Sequence, residues 1–229
     1  MARFTRIQVA TKMAEAGMIP VFYHKDVEIC KKVLEASYNG GIRLFEFTNR
    51  GDYAHTVFEA LNRFAEKEFP EMILGTGSVI DAPTAVMYMQ IGSNFIVSPL
   101  LDEATAVACN RRKVLWSPGC GSVSEISRAE GLGAEIVKIF PGAQVGGPKF
   151  VAAVKGPMPW TQIMPTCGVE PTEANLTEWF KAGAICCGMG SQLIKSDLIK
   201  AGNFKQIEED IKVAIALAKR LREQYPVKL

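Results

Sequence analysis

Apolar residues in this chain gather in short runs that recur about every two dozen positions. Each run is followed by turn residues and then by a segment whose apolar positions are spaced three and four apart. The runs, rich in β-branched and aromatic residues, predict strands over 18–23, 43–48, 72–76, 94–98, 113–117, 135–140, 162–165 and 184–187. Between them, 26–38 puts Val27, Cys30, Val33 and Leu34 on one helical stripe and stops at Asn39-Gly40-Gly41. The segment 52–68 carries Val57, Leu61, Phe64 and Ala65 at helical spacing. Asp81 is placed to cap a helix with Pro83 in its first turn. Helices are also expected over 171–182 and Phe204–Gln224, and an extra one over 3–17 would cover one end of the sheet. Eight β/α units with no linker or composition break predict a single domain, 1–229, folded as a (β/α)8 TIM barrel with an added N-terminal helix. Alternation alone does not prove closure, so a doubly wound open sheet is the structural competitor.

Every strand of such a barrel is buried on both faces, which makes a charged residue in mid-strand expensive wherever it points. Two runs break the apolar rule: Leu44-Phe45-Glu46-Phe47-Thr48 and Ile136-Val137-Lys138-Ile139-Phe140. A lysine held away from water is biased towards the neutral amine, the form that attacks a carbonyl to give a Schiff base. Glu46 is the matching general acid/base, and a purely structural ion pair is the alternative.

Composition narrows the setting. A net charge of +2 spread along 229 residues gives no reason to expect a nucleic-acid partner, and Asn110-Arg111-Arg112-Lys113 reads as a solvated helix-to-strand turn. No stretch has the ~18–20 uninterrupted apolar residues that span a bilayer. The first twenty residues lack the apolar core and cleavage site of a signal peptide. Six cysteines without a CxxC pair or a histidine at zinc spacing are expected as free thiols in a reducing cytoplasm. With only His24 and His55, no metal-binding cluster is expected, and Schiff-base chemistry needs no metal, nucleotide or flavin. His24 is expected as a loop residue and His55 within a helix; Cys120 and Cys167, at strand ends, are expected to be accessible thiols. Met87-Tyr88-Met89 is expected in the core, and Trp116, Trp160 and Trp179 between layers.

Barrel active sites are built at the C-terminal ends of strands. Arg50 follows the second run, Gly75-Thr76-Gly77-Ser78 the third and Ser98-Pro99 the fourth; Pro165-Thr166-Cys167-Gly168 and Gly188-Met189-Gly190-Ser191 follow the last two, where barrels often cradle phosphate. In this order the segments LFEFTNR, GTGSV, SP, SPGCGSVSE, VKIFPG, MPTCGV and GMGSQL resemble the 2-keto-3-deoxy-6-phosphogluconate (KDPG) / 4-hydroxy-2-oxoglutarate (KHG) aldolase family over roughly residues 10–220. The resemblance implies Lys138 as Schiff-base residue and Glu46 as general acid/base. It implies Arg50 and Ser78 near the pyruvate-derived carboxylate, Pro99 as a backbone position near the substrate and Phe140 beside the lysine. Thr166, Gly168, Gly190 and Ser191 would line the distal, phosphate-binding end. It further implies a homotrimer acting on a phosphorylated keto-deoxy sugar acid and pyruvate. Ser78 stands where threonine is usual, and Cys167 and Met189 where glycines are usual, so their Cβ atoms would narrow the cradle. That leaves the galactonate-series epimer and the unphosphorylated hydroxy-oxoglutarate as alternative substrates. A phosphate-binding barrel isomerase or epimerase, and a non-catalytic sugar-acid-binding barrel, are the competing functions.

Overall fold

The computed structural model describes residues 2–227. Helix α1 (Arg6–Ala16) precedes strand β1 (Met18–Phe22), and the chain then alternates as α2 (Val27–Asn39), β2 (Leu44–Thr48), α3 (Ala54–Glu68), β3 (Ile73–Gly77), α4 (Ala82–Gln90), β4 (Phe95–Val97) and α5 (Glu103–Arg112). It continues with β5 (Leu115–Ser117), β6 (Gly119–Cys120), α6 (Val123–Gly131), β7 (Val137–Ile139), α7 (Gly147–Lys155), β8 (Ile163–Pro165), α8 (Glu173–Lys181), β9 (Cys187–Met189), α9 (Ser196–Lys200) and α10 (Phe204–Gln224). The loops start helices by the same device. The side chains of Asp26, Asp81, Asp102, Ser122, Thr172 and Asn203 each accept a backbone N–H of the first turn that lacks an intrahelical partner. Thr5 and Gln8 cap α1 reciprocally.

All strand pairs are parallel. Six strands form one sheet in the order β5-β4-β3-β2-β1-β9, and three form a second in the order β6-β7-β8. Pro118 alone separates β5 from β6. The Ser117 carbonyl accepts from Ser98 N on one side, and the Pro118 carbonyl accepts from Lys138 N on the other. Isolated parallel bridges, Ile163 with Ala184 and Thr166 with Gly188, link β8 to the β9 edge. The parallel sheet is therefore curled, with helices outside. One core cluster takes Ile19, Leu44, Ile73, Phe95, Leu115, Ile136, Met164 and Ile185 from around the curl, and α1 adds Val9, Met13 and Ala14. Alternate strand residues such as Phe45, Phe47, Ile96, Trp116 and Ile139 point the other way and pack under the helices. Burying one such side chain stabilises by roughly 1.5–3 kcal/mol, so α1 is held to the end of the sheet by its apolar face.

Seven of the eight expected strands overlap well with those observed. The eighth is displaced: β9 begins at Cys187, and the Gly188-Met189 segment, read as a turn, belongs to it. Gly119–Cys120 is an additional strand. The basic cluster at 110–113 forms the last turn of α5 and its left-handed cap, Lys113, a position where cations favour the helix dipole. Met89, Trp116 and Trp179 are buried as expected, but Trp160 is 65% exposed because it lies in the turn after α7. Cys120, expected to be accessible, is buried on β6. Among the described residues no helix is long and apolar enough to cross a membrane.

Candidate active site

Strand alternation directs Leu44, Glu46 and Thr48 to the inner side of β2, leaving Phe45 and Phe47 outside. On β7 it directs Lys138 inward between Val137 and Ile139, which pack under the helices. Both charged side chains are nearly sealed from solvent: Glu46 is 1% exposed and Lys138 5%. Missing side chains make the room. A Cβ at Gly77 would sit 1.8 Å from Glu46 Oε1, and one at Gly75 would strike the Phe95 ring at 2.3 Å. Gly119, paired with Lys138, lies so close to β4 that a Cβ there would meet the Pro99 carbonyl at 2.3 Å.

Desolvation dominates the electrostatics. Burial raises the Glu46 carboxyl above its ordinary range, opposed by the charges of Lys138 and Arg50. Burial likewise lowers the Lys138 amine; Arg50 adds to the depression, while Glu46 and Cys167 oppose it. Neither Glu46 oxygen has a hydrogen-bond partner among the described residues, and neither do Ser117 Oγ, at the end of β5, or Thr166 Oγ1, just past β8. Unsatisfied buried polar groups are costly to a fold, and an acid and an amine both pushed towards neutrality by burial are of the kind that clusters at functional sites. Lys138 Nζ lies 4.7 Å from the centroid of the Phe140 ring, which covers it on one side.

Above this pair opens a cavity of about 750 Å3. Thr48 and Phe140, each two residues beyond a member of the pair, line it together with Arg50, Thr166, Cys167, Gly168, Gly190 and Ser191. Arg50 Nε–H donates to Ser78 Oγ at 3.4 Å, and Ser78 is one of few non-glycine residues with a left-handed backbone, φ 59°. The preceding Asn49 is tied down twice: its N–H donates to the Gly77 carbonyl, and its Oδ1 accepts from Tyr88 OH at 2.8 Å. At the far wall, Cys167 and Gly168 both have positive φ, 75° and 84°. A Cβ at Gly168 would come within 2.4 Å of the Ala143 Cβ, so glycine is required there.

The expected residues thus divide three ways. Arg50, Phe140, Thr166, Gly168, Gly190 and Ser191 form the cavity wall, and Glu46 and Lys138 lie one layer below it. Ser78 and Pro99 lie outside the wall, Ser78 behind Arg50 and Pro99 with its carbonyl against Gly119. Of the two residues expected to narrow the cradle, Cys167 lines the cavity, but Met189 is buried under the helices and does not. Sequence reasoning missed Val21, Phe22, Tyr23, Gln192 and Lys200, and left His24 as a loop residue although it too lines the cavity. The strand-end rule applied to β1 would have found the first of these.

The KDPG and KHG aldolase family profile matches residues 9–210. A 2-dehydro-3-deoxy-phosphogluconate aldolase of Pseudoalteromonas atlantica is 32% identical over 89% of this chain and 92% of its own. The KHG/KDPG aldolase of Escherichia coli K12 is 30% identical over 88% and 92%. Among solved structures, a KDPG aldolase of Legionella pneumophila with pyruvate captured as a covalent carbinolamine superimposes with a TM-score of 0.77 at 26% identity, covering 92% of this chain and 96% of that one. On the extent of the profile match and these identities, the chain belongs to the KDPG and KHG aldolase family.

Proposed function

We propose that this chain is a class I aldolase that cleaves 2-keto-3-deoxy-6-phosphogluconate to pyruvate and glyceraldehyde 3-phosphate, and that 4-hydroxy-2-oxoglutarate, with the same keto group and C4 hydroxyl, is a second substrate. The observation that carries this reading is the burial of an amine depressed towards neutrality, Lys138, together with an unpartnered acid, Glu46, beneath a wide cavity. Neutral Lys138 attacks the C2 ketone, and Glu46 supplies the proton with which the carbinolamine oxygen leaves as water. The resulting iminium draws in the electron pair of the C3–C4 bond as Glu46, now a carboxylate, takes the C4 hydroxyl proton. The three-carbon aldehyde departs. Glu46 returns that proton to C3 of the enamine, and hydrolysis frees pyruvate and the amine. Arg50, steadied by Ser78, holds the substrate carboxylate in a charged fork. Phe140 packs against the iminium, the Pro99 backbone borders it, and Thr166, Gly168, Gly190 and Ser191 border the distal end. The carbinolamine of the Legionella relative supports the first step.

The proposal includes a single domain closed into a (β/α)8 barrel. Two features support it: the inner core draws on strands from both sheets, and bridges join β8 to β9. It also includes a homotrimer, to be checked by light scattering on the eluted peak, and a reducing cytoplasm in keeping with six free thiols. The decisive experiment is incubation with pyruvate and borohydride. A reduced adduct is expected on Lys138, and Lys138→Arg, which keeps charge but cannot form the imine, should lose both adduct and turnover. An active enzyme whose Lys138 stays unmodified would exclude the mechanism. A lactate-dehydrogenase-coupled assay on the gluconate and galactonate epimers then ranks the substrates.

A further inference from the structure

The cavity above Lys138 is larger than a three-carbon keto acid needs, and its wall carries positive side chains on two separate elements. Arg50 follows β2, while Lys200 ends α9, beyond β9. Among the described residues no aspartate or glutamate lines this cavity. Among the described residues the Lys200 ammonium has one carboxylate neighbour, Asp197 at 3.9 Å, and both side chains are largely exposed, so the pair holds the lysine only weakly. On the wall of the same cavity, His24 Nδ1 accepts the Asp26 N–H at 3.0 Å, which leaves the proton of the neutral ring on Nε2 as a donor. The backbone cradle itself is encumbered, because Cys167 puts a side chain on the wall from a left-handed position, φ 75°.

We propose that Lys200 is the specificity-determining residue for the distal phosphate: its ammonium binds the dianion by charge, with His24 Nε2–H as a second donor, while Arg50 holds the carboxylate. Recognition then rests on a mobile point charge as well as on backbone N–H groups, which suits a cradle narrowed by a thiol. This rests on the aldolase reading and deepens it.

The test compares Lys200→Gln with Lys200→Arg on KDPG and on the same sugar acid without its phosphate, by coupled pyruvate release. For Lys200→Gln, kcat/KM on KDPG should fall about ten- to a hundredfold, the range of a charged hydrogen bond, and mostly through KM. The unphosphorylated substrate should be unaffected, and Lys200→Arg should restore most of the loss. Added salt should raise the wild-type KM for KDPG more than that of Lys200→Gln. An equal loss on both substrates, or unchanged selectivity, overturns the inference. Borohydride trapping with pyruvate alone separates the two readings: wild type and Lys200→Gln should both give the Lys138 adduct, and a wild type that gives none sinks the aldolase mechanism and this inference with it.

Discussion

Replacing Gly77 with alanine tests whether the placement of the Glu46 carboxyl matters, and does so without touching a reacting group. The new Cβ would lie 1.8 Å from Glu46 Oε1 and 2.6 Å from its Cδ, against the 3.4 Å at which ordinary contact begins. The carboxyl must therefore retreat by about 1.6 Å, because the neighbour on the other side is the chain of β3 itself. Misplacement of a reacting group by about 1 Å costs on the order of a hundredfold in rate, so kcat should fall by at least about that factor. Overpacking a well-filled interior costs about 1–3 kcal/mol, which leaves a folded protein with a reduced Tm. Gly131→Ala, where an added Cβ meets nothing within 4 Å, is the control and should behave as wild type. Coupled pyruvate release gives the rate, circular dichroism the fold, and borohydride trapping the ability of Lys138 to form its imine. A Gly77→Ala protein that keeps wild-type kcat while folded would show that proton transfer does not depend on where this carboxyl sits.

Glu46→Gln should lose turnover while gaining stability. Because the folded-state pKa of Glu46 is raised, the native protein carries no penalty below the ordinary carboxyl value and an increasing one as pH rises from there towards the raised value. The Tm advantage of Glu46→Gln over wild type should therefore grow as pH rises above about 4.5, and a constant or shrinking difference would contradict the assigned burial. Tyr88→Phe removes the donor to Asn49 Oδ1. It should cost about 1 kcal/mol, a Tm loss of about 2–4 °C, and should raise KM through a looser Arg50 loop; an unchanged KM would show that the bond does not position Arg50. Titration with a disulfide reagent should find one fast thiol, Cys167, because the other five cysteines are buried and burial pushes Cys30, Cys109, Cys120 and Cys186 up to about 12. Pyruvate with borohydride should slow that reaction; more than one fast thiol would refute the burial pattern.

The burial of Glu46 and Lys138 was legible in the sequence because both stand in the middle of apolar strand runs, where a charge is rare. The order of strand-end motifs was legible for the same reason that barrels place loops and sites at one end. What failed was local. The run Ala-Ile-Cys-Cys reads as a strand and Gly-Met-Gly as a turn, yet Gly188 is strand, packed so that a Cβ would meet Thr166 Oγ1 at 2.6 Å. Close approach of two chains chooses glycine there, and hydropathy does not register that choice. Met189 followed from the same error: once β9 includes it, alternation turns its side chain away from the cavity. Pro118 marks the break between β5 and β6, which periodicity alone joins to its neighbours. Lys200 was invisible because it reaches the cavity from a five-residue helix with no pattern of its own.

Helix α1 packs Val9, Met13 and Ala14 into the inner core at the end of the curled sheet, which makes the proposed reaction space a blind alley. Whatever enters must leave by the same mouth. On the proposed mechanism traffic has a fixed sequence: the aldehyde half, nearest the exit, would depart first, and the pyruvyl half, still bonded at the floor, would wait for water to follow it in. Pyruvate should accordingly inhibit competitively against the keto-deoxy acid, since both compete for a single dead end.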